Sequence, residues 1–141
     1  MNLTRISLDT NVLIFGLRKI DSYAEQVLQH LFLFDVLICE QVERELLNNF
    51  DASELKLFYE QVELLPSFRI VYQQPSEIVL KKYRQMGLKL GDAKIAAFCE
   101  EQGIDFLITE NRHFLQRLLD RSFNIVDCKV FCEMHSLMAI E

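Results

Sequence analysis

Short apolar runs alternate along this chain with longer segments whose apolar residues recur every three or four positions. Arg5-Ile6-Ser7-Leu8 reads as a short buried strand, and Thr10 to Leu17 as a helix capped by Asp9 or Thr10. The recurrence of Ala24, Val27, Leu28 and Leu31 predicts a helix from Ser22 to Leu33. Asp35 to Cys39 is a second strand. Glu40 to Phe50 and Ser53 to Leu65 are two consecutive helices, the second stopping before Pro66. Phe68 to Tyr72 is a third strand. Ser76 to Met86 is a helix ended by Gly87, and Asp92 to Gln102 is another, lying between Gly91 and Gly103. Phe106 to Thr109 is a fourth strand, Asn111 to Leu119 a helix, Asn124 to Val126 a fifth strand and Val130 to Ile140 a last helix.

Strands separated by helices require crossover connections, which gives a mainly parallel sheet covered on both faces. The expected fold is α/β, a three-layer α/β/α sandwich. The paired helices between residues 40 and 65, with no strand between them, make an α-hairpin insertion. No repeat, linker or biased segment divides residues 1–141, so one domain is expected.

Composition narrows the function more than the fold. The net charge of −6 argues against a protein that coats nucleic acid through a general basic field, but it leaves room for a nucleic-acid enzyme that gathers acids at a metal. Asp9 interrupts the first apolar run, and Leu31 to Phe34 is far too short to cross a bilayer, so a cytoplasmic protein with no membrane partner is expected. The four cysteines lack a paired CxxC framework and read as reduced, buried thiols. Cys128-x3-Cys132-x2-His135 invites a zinc reading, but the spacing is helical and a fourth ligand is missing.

Ligands of open parallel sheets bind beyond the carboxyl ends of the strands. Asp9 follows the first strand; Thr109, Glu110 and Asn111 follow the fourth; Asp92 opens the helix that leads into the fourth; Glu45 lies on the helix after the second. Each has a bland explanation. Asp9 serves as a helix cap, Asp92 as an acid near a helix dipole, Glu45 as a solvated charge no different from Glu43, and Thr109 and Asn111 as a strand end and a cap.

Taken together they say more. Ile6-Ser7-Leu8-Asp9-Thr10-Asn11-Val12-Leu13-Ile14 resembles the opening motif of the PIN-domain family. Val42-Glu43-Arg44-Glu45-Leu46 resembles its second motif, and Gly91-Asp92-Ala93-Lys94-Ile95-Ala96 its third. Phe106-Leu107-Ile108-Thr109-Glu110-Asn111-Arg112-His113-Phe114 is similar to its fourth. The four occur in the family's order across residues 6 to 114. The resemblance implies a metal-dependent endoribonuclease of the VapC-like group, the toxin of a type II toxin–antitoxin pair. It carries over Asp9, Glu45 and Asp92 as an acidic triad, with Asn111 in the fourth catalytic position and Asp9 and Asp92 on the metal. Thr109 and Asn11 are supporting residues, Asn11 backing Asp9. It also implies Mg²⁺ or Mn²⁺, an RNA substrate, a cognate antitoxin and a homodimer.

The departure is at Asn111, where many members have Asp. An amide is a neutral ligand, so the site loses one negative charge and holds a second cation less well. Hard cations favour carboxylates and water, which fits the triad independently of the resemblance. Lys94 and Arg112 are candidate phosphate contacts bordering the site. Lys81, Lys82, Arg84 and Lys89 form the densest basic cluster, either a solvated helix face or a phosphate-contact patch. Tyr83 within it is a core residue or a stacking platform, and His113 a packed or surface histidine. The competing reading is a PIN-like module without activity that binds RNA or protein. A phosphatase that needs a second acid two residues after Asp9 is disfavoured, because Asn11 stands there.

Overall fold

In the computed structural model, five short strands pair entirely in parallel, in the order β3-β2-β1-β4-β5. Residues 3–111, 113–114 and 122–138 are described. The strands are β1 (Arg5–Leu8), β2 (Asp35–Cys39), β3 (Phe68–Val71), β4 (Phe106–Ile108) and β5 (Asn124–Val126). The helices are α1 (Thr10–Leu17), α2 (Ser22–Gln29), α3 (Glu40–Asn49), α4 (Ala52–Leu64), α5 (Glu77–Gln85), α6 (Leu90–Glu101) and α7 (Cys128–Met134). A 3-10 turn, Leu31–Leu33, leads into β2.

The chain steps outward from β1 to β2 and β3, then returns to the far side of β1 for β4 and β5. Right-handed crossovers therefore place α1 to α4 on one face and α5 and α6 on the other. Helix packing agrees: α1 lies against α2, α3 and α4, and α5 against α6. The sandwich and the parallel sheet are as the sequence led us to expect, and two consecutive helices, α3 and α4, join β2 to β3. The reversal between β1 and β4 opens a crevice at their carboxyl ends, the usual place for a ligand in such sheets.

β1 and β5 are short because each runs straight into a helix cap, Asp9 and Asp127. Asp9 ends β1 and accepts a hydrogen bond from Thr10 N. Asp21, Ser76 and Asp127 cap α2, α5 and α7 in the same way, and Asp51 with Glu54 forms a reciprocal capping box on α4. The strand interiors are Ile, Leu, Val and Phe, almost all buried, as a sheet covered on both faces requires. Phe58, Phe98, Phe114 and Phe131 are fully enclosed. Gly16 lets α1 and α2 touch, since a Cβ there would overlap the Leu28 side chain.

Several boundaries differ from expectation, the larger shifts being these. The helix expected to Leu33 stops at Gln29, because Phe34 must be buried in extended backbone ahead of β2 and the chain tightens into a 3-10 turn to reach it. The helix expected to begin at Asp92 begins at Leu90, with Lys89 as its cap residue. α7 starts at Cys128, two residues before the expected Val130, because Asp127 caps it, and gives way to a turn after Met134. The helix expected from Asn111 to Leu119 lies mostly outside the described residues, with only His113 and Phe114 seen as helical. No described helix is long and apolar enough to cross a membrane.

Candidate active site

Asp9 sits at the carboxyl end of β1, 5% exposed, with its backbone N–H donating to Ile108 O at 3.0 Å across the β1–β4 junction. Both carboxylate oxygens are held. Oδ1 accepts from Thr10 N at 2.8 Å and Oδ2 from the Thr109 hydroxyl at 2.6 Å. Thr109 in turn accepts from Asn111 N at 3.0 Å, which fixes its own proton on Asp9. Glu45 reaches the same edge from α3, where its Oε1 accepts from the Thr10 hydroxyl at 3.1 Å. Asp92, in the first turn of α6, has Asn111 Nδ2 at 3.5 Å from its Oδ2. Asp9, Glu45, Asp92, Thr109 and Asn111, separated by up to 102 positions in the chain, are thus brought to one crevice.

Their electrostatics are unfavourable. Burial pushes the Asp9 carboxyl up to about 6, against the hydrogen bonds from Thr109 and Thr10, and the charges of Glu45 and Asp92 push the same way. Burial also raises Glu45, opposed by its hydrogen bonds and aided by Asp92. Asp92 is raised by burial too, while Lys89, the bond from Asn111 and the His113 ring act in the opposite sense. Among the described residues, no ion pair closes on any of the three.

The donor set fits a hard divalent cation. Among the described residues no three His, Cys, Asp or Glu side chains close around one point that could hold a metal. A cation here would therefore take one or two carboxylates and complete its shell with water and phosphate oxygens. Mg²⁺ characteristically binds in this way. Excess negative charge with oxygen donors only is the matching chemistry. Cys39, at the end of β2, offers no nucleophile, because burial lifts its thiol to about 11. Cys128, Cys132 and His135 do not form a zinc site. Cys132 Sγ donates to Tyr23 O at 3.6 Å, and His135 Nδ1 lies 3.1 Å from Phe131 O within its own helix turn.

The remaining sequence candidates are placed as follows. Asn11 does not support Asp9 directly; its Oδ1 accepts from Glu110 N at 3.3 Å and so ties the loop after β4 to α1. Glu110 turns away from the crevice and accepts from Cys128 N at 2.9 Å. Asn111 uses its amide oxygen to accept from His113 N at 3.0 Å, so the face it turns to Asp92 is its NH₂.

Among the cations, Lys82 is paired with Glu100 at 2.6 Å. Glu100 lies eight residues beyond Asp92 on α6, about 12 Å along the axis. Arg84 donates to Leu88 O at 3.3 Å, and Lys81 is exposed on α5. Lys94 lines a small polar recess with Arg44, Glu40 and Gln74 at the ends of β2 and β3. Tyr83 is fully buried, its hydroxyl donating to Glu100 at 2.8 Å, so it is no stacking platform. Arg112 lies outside the described residues. Sequence reasoning did not single out the cleft of about 250 Å³ beside Asp92, walled by Gly87, Leu88, Lys89, Asn111 and His113. Its signal was present only as Gly87 and Lys89 spaced just before the third motif.

A family model described as the PIN domain matches residues 6–118. A chain of the DNA-bound VapBC structure from Salmonella typhimurium superposes with a TM-score of 0.65 at 16% identity, covering 89% of this chain and 99% of that one. PAE2754 from Pyrobaculum aerophilum gives 0.63 at 18%, covering 94% and 90%. A chain of a toxin–antitoxin complex from Klebsiella pneumoniae gives 0.60 at 24%, covering 81% and 92%. No curated protein sequence matches the chain.

Proposed function

The chain belongs to the PIN-domain family, and on that premise we propose that it is a divalent-cation-dependent endoribonuclease, the toxin of a type II toxin–antitoxin pair. One observation carries the reading. Three carboxylates from β1, α3 and α6 meet at the topological switch point, all raised by burial and none ion-paired among the described residues. Groups held in so unfavourable a state are a mark of a working site rather than of a stabilising one.

Asp9 and Asp92 are the residues that would hold Mg²⁺ or Mn²⁺. When bound, such a cation supplies positive charge to the phosphate oxygens and acidifies a water. Thr109 and Thr10 fix the orientation of Asp9 through one hydrogen bond to each carboxylate oxygen. Glu45, anchored by one oxygen to Thr10, takes a proton from the attacking water on the other. The water oxygen bonds to phosphorus, the bond from phosphorus to the leaving ribose oxygen breaks, and the proton passes to that oxygen. Asn111 donates towards Asp92 and caps the segment after it, acting as a positioning residue. RNA as substrate, an antitoxin that covers the acids with a basic side chain, and a homodimer belong to the same reading. The toxin–antitoxin complex from Klebsiella pneumoniae supports the antitoxin.

The second reading, a PIN-like module that binds without cutting, is favoured by one observation: the Asn111 amide oxygen is already engaged by His113 N.

The test is cleavage of single-stranded and folded RNAs by the purified chain in Mg²⁺ or Mn²⁺, with EDTA and Asp92→Asn alongside. We expect cutting that EDTA abolishes and that Asp92→Asn lowers by about a thousandfold or more, roughly 4 kcal/mol of transition-state stabilisation. RNA binding without cutting, in protein that binds Mn²⁺, would establish the second reading instead.

A further inference from the structure

Of the phosphate contacts suggested by the sequence, Lys82, Arg84 and Lys94 do not converge on the acids, whereas Lys89 borders Asp92. Lys82 is paired with Glu100 at the opposite end of α6, Arg84 is turned to Leu88 O, and Lys94 faces a separate recess. A nucleic-acid strand entering the crevice needs cationic contacts close to Asp92. The described residues offer these on one side, in the cleft of about 250 Å³ between the start of α6 and the end of β4.

We propose that this cleft is the binding site for the nucleotide next to the scissile phosphate. Lys89 holds that nucleotide's backbone phosphate, and the His113 ring forms the wall against which its base lies. The inference rests on the nuclease reading and extends it to the substrate. The cleft is continuous with the site, since Asp92 and Asn111 line it. Lys89 is exposed at the cap of α6, three residues before Asp92, and its charge is felt there. His113 is exposed and comes from the other side of the crevice, held in place by its N–H to Asn111. Between them, Gly87 has φ +96 and no side chain, and Leu88, its side chain almost wholly buried in the core, closes the base of the cleft. A cleft with a cation at its mouth and a ring on its wall suits an unpaired base and its phosphate.

The experiment measures anisotropy of short fluorescein-labelled single-stranded RNA of mixed sequence, in Ca²⁺, over a salt series, with the RNA checked for integrity afterwards. Lys89→Gln should weaken binding roughly tenfold and flatten the log K against log salt slope by about 0.7, the value of one lost phosphate contact on a single strand. Lys56→Gln, the same charge change on exposed α4, should alter neither. His113→Ala should cost about fivefold or more and reduce discrimination among oligo(A), oligo(C) and oligo(U). Neither cleft variant should bind Mn²⁺ more weakly or melt lower, which separates a lost RNA contact from a folding defect. Wild-type binding and an unchanged salt slope in Lys89→Gln and in Lys89→Gln combined with His113→Ala would overturn the cleft and leave the nuclease standing. A wild-type chain that binds Mn²⁺ yet neither binds nor cuts RNA would overturn the nuclease reading itself.

Discussion

The two ends of the sheet treat acidic residues in opposite ways. At the amino-terminal edge, Asp35 receives Arg5 Nε at 3.0 Å and Arg69 at 3.3 Å, and Asp105 receives the Arg5 backbone N–H at 2.8 Å. Arg5 also donates to Gln102 O at 2.7 Å, tying β1 and β2 to the end of α6. At the carboxyl edge, Asp9, Glu45 and Asp92 have threonine hydroxyls, amides and one another. The same strands therefore end in a satisfied set of charges at one edge and an unsatisfied set at the other. The lesson is that acid content says little, and the supply of partners says where function lies.

The contrast can be broken from either side. The largest effect is expected at the carboxyl edge. The Asp9 carboxyl is raised from 3.8 to about 6, so its contribution to stability is present below pH 3.8 and is lost as pH rises through 6. Asp9→Asn should thus stabilise the metal-free protein at pH 8 by about 3 kcal/mol and give no gain at pH 3.5, measured by urea unfolding. Excess Mn²⁺ should reverse the order at pH 8, raising the wild-type melting temperature and leaving the variant's unchanged. At the amino-terminal edge, Arg5→Ala should do the opposite and destabilise by about 1 kcal/mol, because Arg5 is partly exposed and its ion pair is screened. Arg69→Ala, on a more exposed pair, should cost under about 0.5 kcal/mol by the same measurement.

Much of this was legible in the sequence because it is local. Strand positions follow from short apolar runs, and the bounds of β1, β2 and β5 were read correctly to the residue, as was α1. The Asp51 to Glu54 capping box and the Asp127 cap were legible in principle and were not used. What could not be read is the pairing of side chains far apart in the chain. Lys82 and Arg84 look like neighbours of the site by composition, yet Glu100 and Leu88 decide where they point. Tyr83 sits in a basic run and is nonetheless buried against α6. The division of labour within Asn111, oxygen to His113 and nitrogen to Asp92, depends on the turn after β4 and has no sequence signature. The motif order identified the family and the basic run already held Lys89, whereas only the fold puts Lys89 and His113 on the walls of one cleft beside Asp92.

The bond from Thr109 to Asp9 joins residues one hundred positions apart, and the β1–β4 ladder beside it is as distant in sequence. During synthesis the chain makes β1 first and must wait for β4 before Asp9 is oriented. Contacts of such separation form late and slowly, after the local helices are in place. A nascent chain still attached to the ribosome, with RNA on every side, therefore carries Asp9 without the hydroxyl that aims it. The crevice closes only when translation has passed Thr109, so this topology acts as a timer on whatever chemistry the site performs.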